Sequence, residues 1–280
     1  MLVIGTNMAA IRAANAASAA QKQAALSMER LSTGKRINSA KDDPAGFAIA
    51  DRMTAQIRGM NQAVRNAGDG IALIQTADSN LGEVTNLLQR LRELAVQSAS
   101  GTYSDDDRAN MQAEATQLSD AIGDILGNTK FNGLTLFAPA PASDPVEIEV
   151  QSGANAGETV TLISSVVDLR GITGVSGGSS ISVASAGDAS DAIDTIDDAM
   201  KSVSTLRATL GGSASRLESV VSNLTTNIAN LTNARSRIED TDYAAETMAL
   251  AKAQILSQSA MAMLAQANQM NQQLVAMLLR

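Results

Sequence analysis

Leu256-Ser-Gln-Ser-Ala260-Met-Ala-Met263-Leu-Ala-Gln-Ala267-Asn-Gln-Met270-Asn-Gln-Gln-Leu274-Val-Ala-Met277 is the stretch that decides the fold. Leu256, Ala260, Met263, Ala267, Met270, Leu274 and Met277 are spaced four, three, four, three, four, three. That rhythm marks an amphipathic helix with a coiled-coil seam. The opposite face carries Gln258, Gln266, Asn268, Gln269, Gln272 and Gln273. Such a helix has little bulk of its own, and isolated helices draw most of their stability from packing. Three partners suit the stripe: another helix of the same chain, a membrane surface, or another subunit. The polar face argues against the membrane. Lys252 and Arg280 are its only cations, whereas interfacial helices are rich in Lys and Arg.

Working outward, the other end of the chain has the same character. Ala9, Ala10, Ala13, Ala14, Ala16, Ala17, Ala19, Ala20, Ala24 and Ala25 crowd the first 40 residues. Two weakly charged aliphatic ends flanking a polar middle favour the intermolecular reading. Neither end can build a core alone, so both are expected to lack fixed structure until they assemble.

Between the ends, Ile57, Met60, Val64, Ala67, Ile71, Ile74, Asp78, Leu81, Thr85, Leu88 and Ala95 form a near-heptad stripe. Val84, Leu87, Leu91 and Leu94 widen it; Asp78 and Thr85 interrupt it, and Arg92 fills its one gap. The spacing predicts a helix of roughly 60 Å at about 1.5 Å per residue. Asp43-Pro44 supplies the start, an N-cap followed by proline at the first helical position. A second helix is expected over 104–126. Ser104 and Asp107 resemble a capping box, and Met111, Ala115, Leu118, Ile122 and Ile125 form its apolar face.

All four prolines, Pro44, Pro139, Pro141 and Pro145, lie outside the helical stretches or at a start. Phe131-Asn-Gly-Leu134 contains a turn dipeptide. Val146, Ile148 and Val150 alternate with Glu147, Glu149 and Gln151, and Thr159–Leu162 follows a Gly-rich turn, so a hairpin is predicted. Residues 171–187 read as loop, and helix resumes at Asp188. Gly211-Gly212 reads as a break in it. Leu217, Val220, Leu224, Leu231 and Ile238 continue the stripe beyond.

The 280 residues carry a net charge of −8, three Phe, two Tyr and no Trp, Cys or His. Without Cys or His there is no thiolate nucleophile, disulfide, zinc finger or imidazole base. The acidic balance speaks against nucleic acid. No apolar run reaches membrane-spanning length. The opening residues lack the pattern of a cleaved secretory signal. Asp42-Asp43 and Asp105-Asp106-Asp107 suit helix starts, where acids complement the dipole, better than a metal site. Gly68-Asp-Gly70 and Gly211-Gly212 lack phosphate-loop spacing. Arg235, Arg237, Glu239 and Asp240 form a dense charge cluster, read either as a solvated helix surface or as a polar joint between helical segments. No constellation points to an enzyme, and no cofactor is expected.

Three segments closely resemble bacterial flagellins. One is Arg30-Leu-Ser-Thr-Gly-Lys-Arg-Ile-Asn-Ser-Ala-Lys-Asp-Asp-Pro-Ala-Gly-Phe-Ala-Ile-Ala50. Another is Gln89-Arg-Leu-Arg-Glu-Leu-Ala-Val-Gln97, with Phe131-Asn-Gly133 downstream. The third is Ala234-Arg-Ser-Arg-Ile-Glu-Asp-Thr-Asp-Tyr243, continuing through Leu264-Ala-Gln-Ala-Asn-Gln269 to Leu279-Arg280. The likeness covers about residues 4–137 and 188–280.

The resemblance implies a mainly α architecture: long antiparallel helices forming a rod, with coiled-coil termini and a small β-hairpin region. Residues 1–42 would be the N-terminal helix of an inner-tube domain, and 43–137 the rod helices of a core domain. Residues 138–187 would be a short β/loop outer region, 188–235 the C-terminal rod helix, and 236–280 the C-terminal inner-tube helix. It also implies that Gly211-Gly212 lies in or beside a continuous helix, and that the Arg235–Asp242 cluster is an inter-domain joint. The implied function is a subunit exported unfolded that polymerises into the flagellar filament for swimming. Implied partners are further flagellin subunits, the flagellar export machinery and its chaperone, and the filament cap and hook-junction proteins. A host Toll-like receptor is a further one, with Arg90, Leu94 and Glu114 as matching residues. Arg90 and Leu94 share a helix face, and the reading open for Leu94 is that it belongs to the core stripe instead. A hook–filament junction protein and a surface adhesin are the competing functions. Asn271, where many relatives have proline, implies a straighter final helix.

Overall fold

In a computed structural model of the chain, residues 6–137, 146–164, 169–173 and 181–278 are described. The three prolines of 139–145 lie outside them. Six helices and two hairpins follow in the order α1 (Met8–Thr33), α2 (Pro44–Ala99), α3 (Asp105–Asn128), β1 (Lys130–Phe131), β2 (Leu134–Thr135), β3 (Val146–Gln151), β4 (Thr159–Ser164), α4 (Arg170–Thr173), α5 (Ala186–Glu239) and α6 (Tyr243–Leu278). The chain divides into two compact units, residues 1–56 with 229–280, and residues 57–228.

The second unit holds the larger core. Leu81, Val84, Leu88 and Leu91 of α2, Ile122 of α3, and Ile196, Val203 and Leu217 of α5 are fully buried. The near-heptad stripe is therefore the inner face of α2. Its polar interruptions are answered across the seam. Asp78 accepts from Arg207 Nε at 2.7 Å, and Arg92 Nε donates to Asp197 at 2.7 Å. Because 78 pairs with 207 and 92 with 197, α2 and α5 run antiparallel.

Ser104 and Asp107 form a full capping box at the start of α3. Asp43 caps α2: its Oδ1 accepts from the backbone N–H of Ala45 and Gly46 at 3.1 and 3.0 Å. The β3–β4 hairpin pairs Ile148 with Leu162 and Val150 with Val160. Val150 and Leu162 are buried. In the short β1–β2 hairpin Asn132 and Gly133 both have positive φ, 50° and 82°, as a primed turn requires.

One expectation from residue pattern fails. Gly211-Gly212 does not break α5, which is unbroken from Ala186 to Glu239. Each glycine costs a helix only about 1 kcal/mol, and Leu206, Leu210 and Leu217 are buried on either side. Packing offsets the weak propensity. The helix-with-glycines reading implied by the family resemblance is the one observed.

A second departure concerns residues 171–187, read as loop. Among the described residues, 171–173 belong to a turn of helix, α4, α5 has begun by Ala186, and Ile181 and Val183 are tied down by polar side chains. Gln112 receives a bond from Val183 N at 2.5 Å and donates to Ile181 O at 3.1 Å. Ser98 Oγ donates to Val183 O at 2.5 Å, and Ser119 Oγ donates to Ile172 O. Leu169, Ile172, Ile181 and Val183 are buried beneath these bonds. Among the described residues no helix is long and apolar enough to cross a membrane.

Candidate assembly surface

The unit of residues 1–56 and 229–280 is built on the pairing of α1 with α6. α1 and α6 are helical and pack on each other. The physical reason lies in which residues face inward. On α1, Ala10, Ala13, Ala17, Ala20, Ala24, Ser27 and Leu31 are buried or half-buried, at steps of three and four. On α6, Glu246, Leu250, Ala253, Ser257, Ala260, Leu264, Ala267 and Asn271 do the same. The α1 seam is Ala and Ser but for Leu31, and half of the α6 seam is Ala or Ser, so the backbones can approach closely.

Two polar contacts set the direction of the pair. Asn7 caps α1, accepting from Ala10 N at 3.0 Å, and its Nδ2 donates to Ala267 O at 3.0 Å. At the other end Arg30 Nη1 lies 3.7 Å from Glu246 Oε2. Residue 7 meets 267 and residue 30 meets 246, so the helices are antiparallel.

The sequence stripe on α6 thus divides. Ala260 and Ala267 belong to the inward seam. Leu256, Met263 and Met270 are 51%, 60% and 58% exposed. They sit seven apart and form an outward row. Met248, Ile255 and Met261 are also exposed on α6. The side chains of Leu274 and Met277 lie outside the described residues. The helix continues through Asn271 to Leu278 without interruption.

The charge cluster sits in this same unit. Glu239 Oε1 takes Lys35 Nζ at 2.6 Å, and Arg235 Nε lies 3.9 Å from Glu239 Oε2. Arg235 Nη1 also donates to Thr54 Oγ1 at 3.2 Å. Arg36 donates from its backbone N to Glu239 O and from Nη2 to Ile238 O, both at 2.6 Å. Lys35 and Asp240 form a β-bridge, and Ser236 Oγ donates to Asp240. Thr241 N closes the arrangement on Gly34 O at 3.0 Å. Gly34 has φ 70°, the left-handed C-cap of α1. The cluster therefore clasps the α1–α2 turn to the α5–α6 turn. Arg237 is exposed and takes no part.

The matching receptor residues lie in the other unit. Arg90 Nη2 meets Glu114 Oε1 at 2.7 Å, and its Nη1 meets Glu93 at 3.0 Å. These bonds, that to Glu114 foremost, hold the guanidinium's pKa above its ordinary value. Arg90 and Glu114 are exposed. Leu94 is 2% exposed and belongs to the core stripe. It cannot serve as the apolar anchor on an outer face, because the same four-residue step that aligns it with Arg90 lands on the widened inner stripe.

Sequence reasoning missed Arg108. It is buried on α3, and its Nη2 donates to Ser100 O at 2.9 Å and Tyr103 O at 3.3 Å, holding the α2–α3 turn. A lone arginine beside three aspartates carries no pattern that announces this. Among the described residues no group of acidic side chains could hold a metal ion.

Residues 4–140 match the bacterial flagellin N-terminal helical region, and residues 193–278 match the C-terminal helical region. The chain belongs to the flagellin family. A flagellin of Halalkalibacterium halodurans is 42% identical over 278 residues, covering 99% of this chain and all of that one. The flagellar filament 33 kDa core protein of Treponema phagedenis is 39% identical, with the same coverage. The crystal structure of Bacillus cereus flagellin superposes with a TM-score of 0.50 at 30% identity, covering 61% of this chain and 94% of that one. As a flagellin the chain is a structural subunit of the bacterial flagellar filament and not an enzyme. The family forms the extracellular filament.

Proposed function

We propose that the outward row Leu256, Met263 and Met270 is the surface through which subunits pack on one another, and that Leu274 and Met277, next on the sequence stripe, take part in assembly. The observation that carries this reading is the sorting of α6 into two faces. The seam toward α1 takes Ala253, Ser257, Ala260 and Ala267 with Leu250 and Leu264, while Leu256, Met263 and Met270 stay exposed. Exposed contiguous apolar rows are unusual on monomers and mark interaction sites. Met adapts well to such contacts. The clasp around Arg235, Glu239 and Asp240 holds the turn from which α6 departs, and so aims the row. The subunit is exported unfolded through the flagellar channel with a chaperone and added beneath the cap, beyond the hook-junction proteins.

The test is Met263→Asp. A charge buried without a partner in a helix–helix seam is costly. The expected result is loss of filaments by electron microscopy, with thermal unfolding of residues 57–228 unchanged. Filaments of normal length from the variant would overturn the reading.

A second reading concerns host recognition by a Toll-like receptor. The exposed Arg90–Glu114 pair supports it, since Arg is among the residues that most often carry binding energy at an interface. Leu94 contributes only by holding α2. Receptor signalling by Arg90→Ala monomer should fall below wild type at equal folded concentration. Undiminished signalling removes the pair from the interface.

A further inference from the structure

The methionines are unevenly distributed by exposure. In residues 57–228, Met60 and Met111 are buried and Met200 is half-buried. In the other unit Met8, Met28, Met248, Met261, Met263 and Met270 are between 54% and 67% exposed. Among the described residues every exposed methionine thus sits on α1 or α6. A thioether is the softest nucleophile this chain offers, since it has no Cys and no His.

Susceptibility to oxidation follows exposure. Peroxide transfers one oxygen atom to the thioether sulfur. The sulfur gives up two electrons, the peroxide is reduced to water, and no bond of the chain breaks. The product is a polar, chiral sulfoxide on a side chain that had been apolar. Its oxygen is a strong hydrogen-bond acceptor, and a dry helix seam offers it no donor. The backbone N–H groups of α6 are already committed within the helix.

Met263 and Met270 occupy the outward row itself, one heptad apart. We propose that they are oxidation sites of the unassembled subunit, and that sulfoxide at these two positions bars it from the filament. The inference rests on the assembly reading above. It adds that the free subunit is open to peroxide, that the polymer is protected, and that the damage is reversible by methionine sulfoxide reductases. The inward seam, as far as it is described, contains no methionine, so the α1–α6 pair survives the modification.

The experiment treats full-length monomer and preformed filament with hydrogen peroxide in parallel and maps sulfoxide by peptide mass spectrometry. Met263 and Met270 are expected to oxidise in the monomer and to be shielded in the filament. Oxidised monomer should show a critical concentration raised roughly tenfold or more, with unaltered helicity, and reductase treatment should restore assembly. In the double variant Met263→Leu, Met270→Leu the critical concentration, whatever its value before treatment, should not change on exposure to peroxide. Equal oxidation in monomer and filament would overturn the proposal, as would unimpaired assembly of monomer sulfoxidised at both positions. Met263→Asp separates the two readings. If it assembles, the row is not the assembly surface. If it fails while sulfoxidised monomer assembles, the row is right and the oxidation inference is wrong.

Discussion

Asp78 of α2 and Arg207 of α5 meet at 2.7 Å at the position where the α2 stripe lacks an apolar residue. The interruption that weakens the sequence pattern is thus a pairing between antiparallel helices. Both side chains remain well exposed, so the pair contributes little to stability. Asp78→Leu is expected to change unfolding free energy by less than about 1 kcal/mol. Leu81→Ala, three residues on and fully buried, should cost about 2–5 kcal/mol. Urea unfolding of the two variants checks the contrast, and equal losses would contradict it.

Acid should destabilise the body, and the sign follows from several depressed carboxyls. The hydrogen bond from Arg92 holds Asp197 below its ordinary value. Ser104 does the same for Asp107, and Asn155 for Glu158. Backbone N–H groups of Ser39 and Asn38 do so for Asp42. A folded pKa below the unfolded one stabilises above the unfolded value and is lost as pH falls through the folded value. Unfolding midpoints should therefore stay level from about pH 8 to 5, where no histidine titrates, and drop below about pH 4. Asp197→Asn should shed part of that acid sensitivity. An acid limb of unchanged steepness in this variant would rule the pair out as a contributor.

Deleting residues 1–40 or 240–280 removes one partner of the α1–α6 pair. Residues 57–228 keep their own buried core. Either truncation should give a soluble protein that unfolds cooperatively and forms no filaments. Filaments from either, seen after a precipitant is added, would contradict this.

Gly211 and Gly212 are exposed in an unbroken helix, and an added Cβ at either meets nothing within 4 Å. Gly211→Ala with Gly212→Ala should therefore stabilise the monomer by about 1–2 kcal/mol, through helix propensity and a less flexible unfolded chain. Calorimetry that shows no rise in Tm would mean that the unfolded chain is already ordered there.

Much of this architecture can be read from residues. The Ile57–Ala95 stripe, the Ser104–Asp107 box, Asp43-Pro44 and the Val146–Gln151 alternation are local patterns with local causes. What stayed hidden depends on contacts between distant segments. The Gly211-Gly212 pair looks like a break until Leu206, Leu210 and Leu217 are seen buried around it. Ile172, Ile181 and Val183 follow no periodic pattern, and their places are set by Ser98, Gln112 and Ser119 from elsewhere in the chain. At the assembly surface the heptad of α6 was legible, but not which of its residues faced α1. Ala260 and Met263 share one stripe in sequence, and only the close approach of α1 separates them. Leu94 shows the converse, since its helix step fits an outer face and an inner one equally well.

The lining between α1 and α6, Ala and Ser interspersed with Leu250 and Leu264, works as a rail with stops. Sliding one helix by a heptad, about 10 Å, would set Ala of α1 against Ala, Ser or Leu of α6 again, and the middle of the seam would stay apolar. Such a slide would, however, pull Asn7 from the Ala267 carbonyl and Arg30 from Glu246, and tear the Lys35–Asp240 bridge. Alignment of the two ends of this polypeptide is thus dictated by a few polar contacts at the extremities of the pair, and the long middle merely permits it.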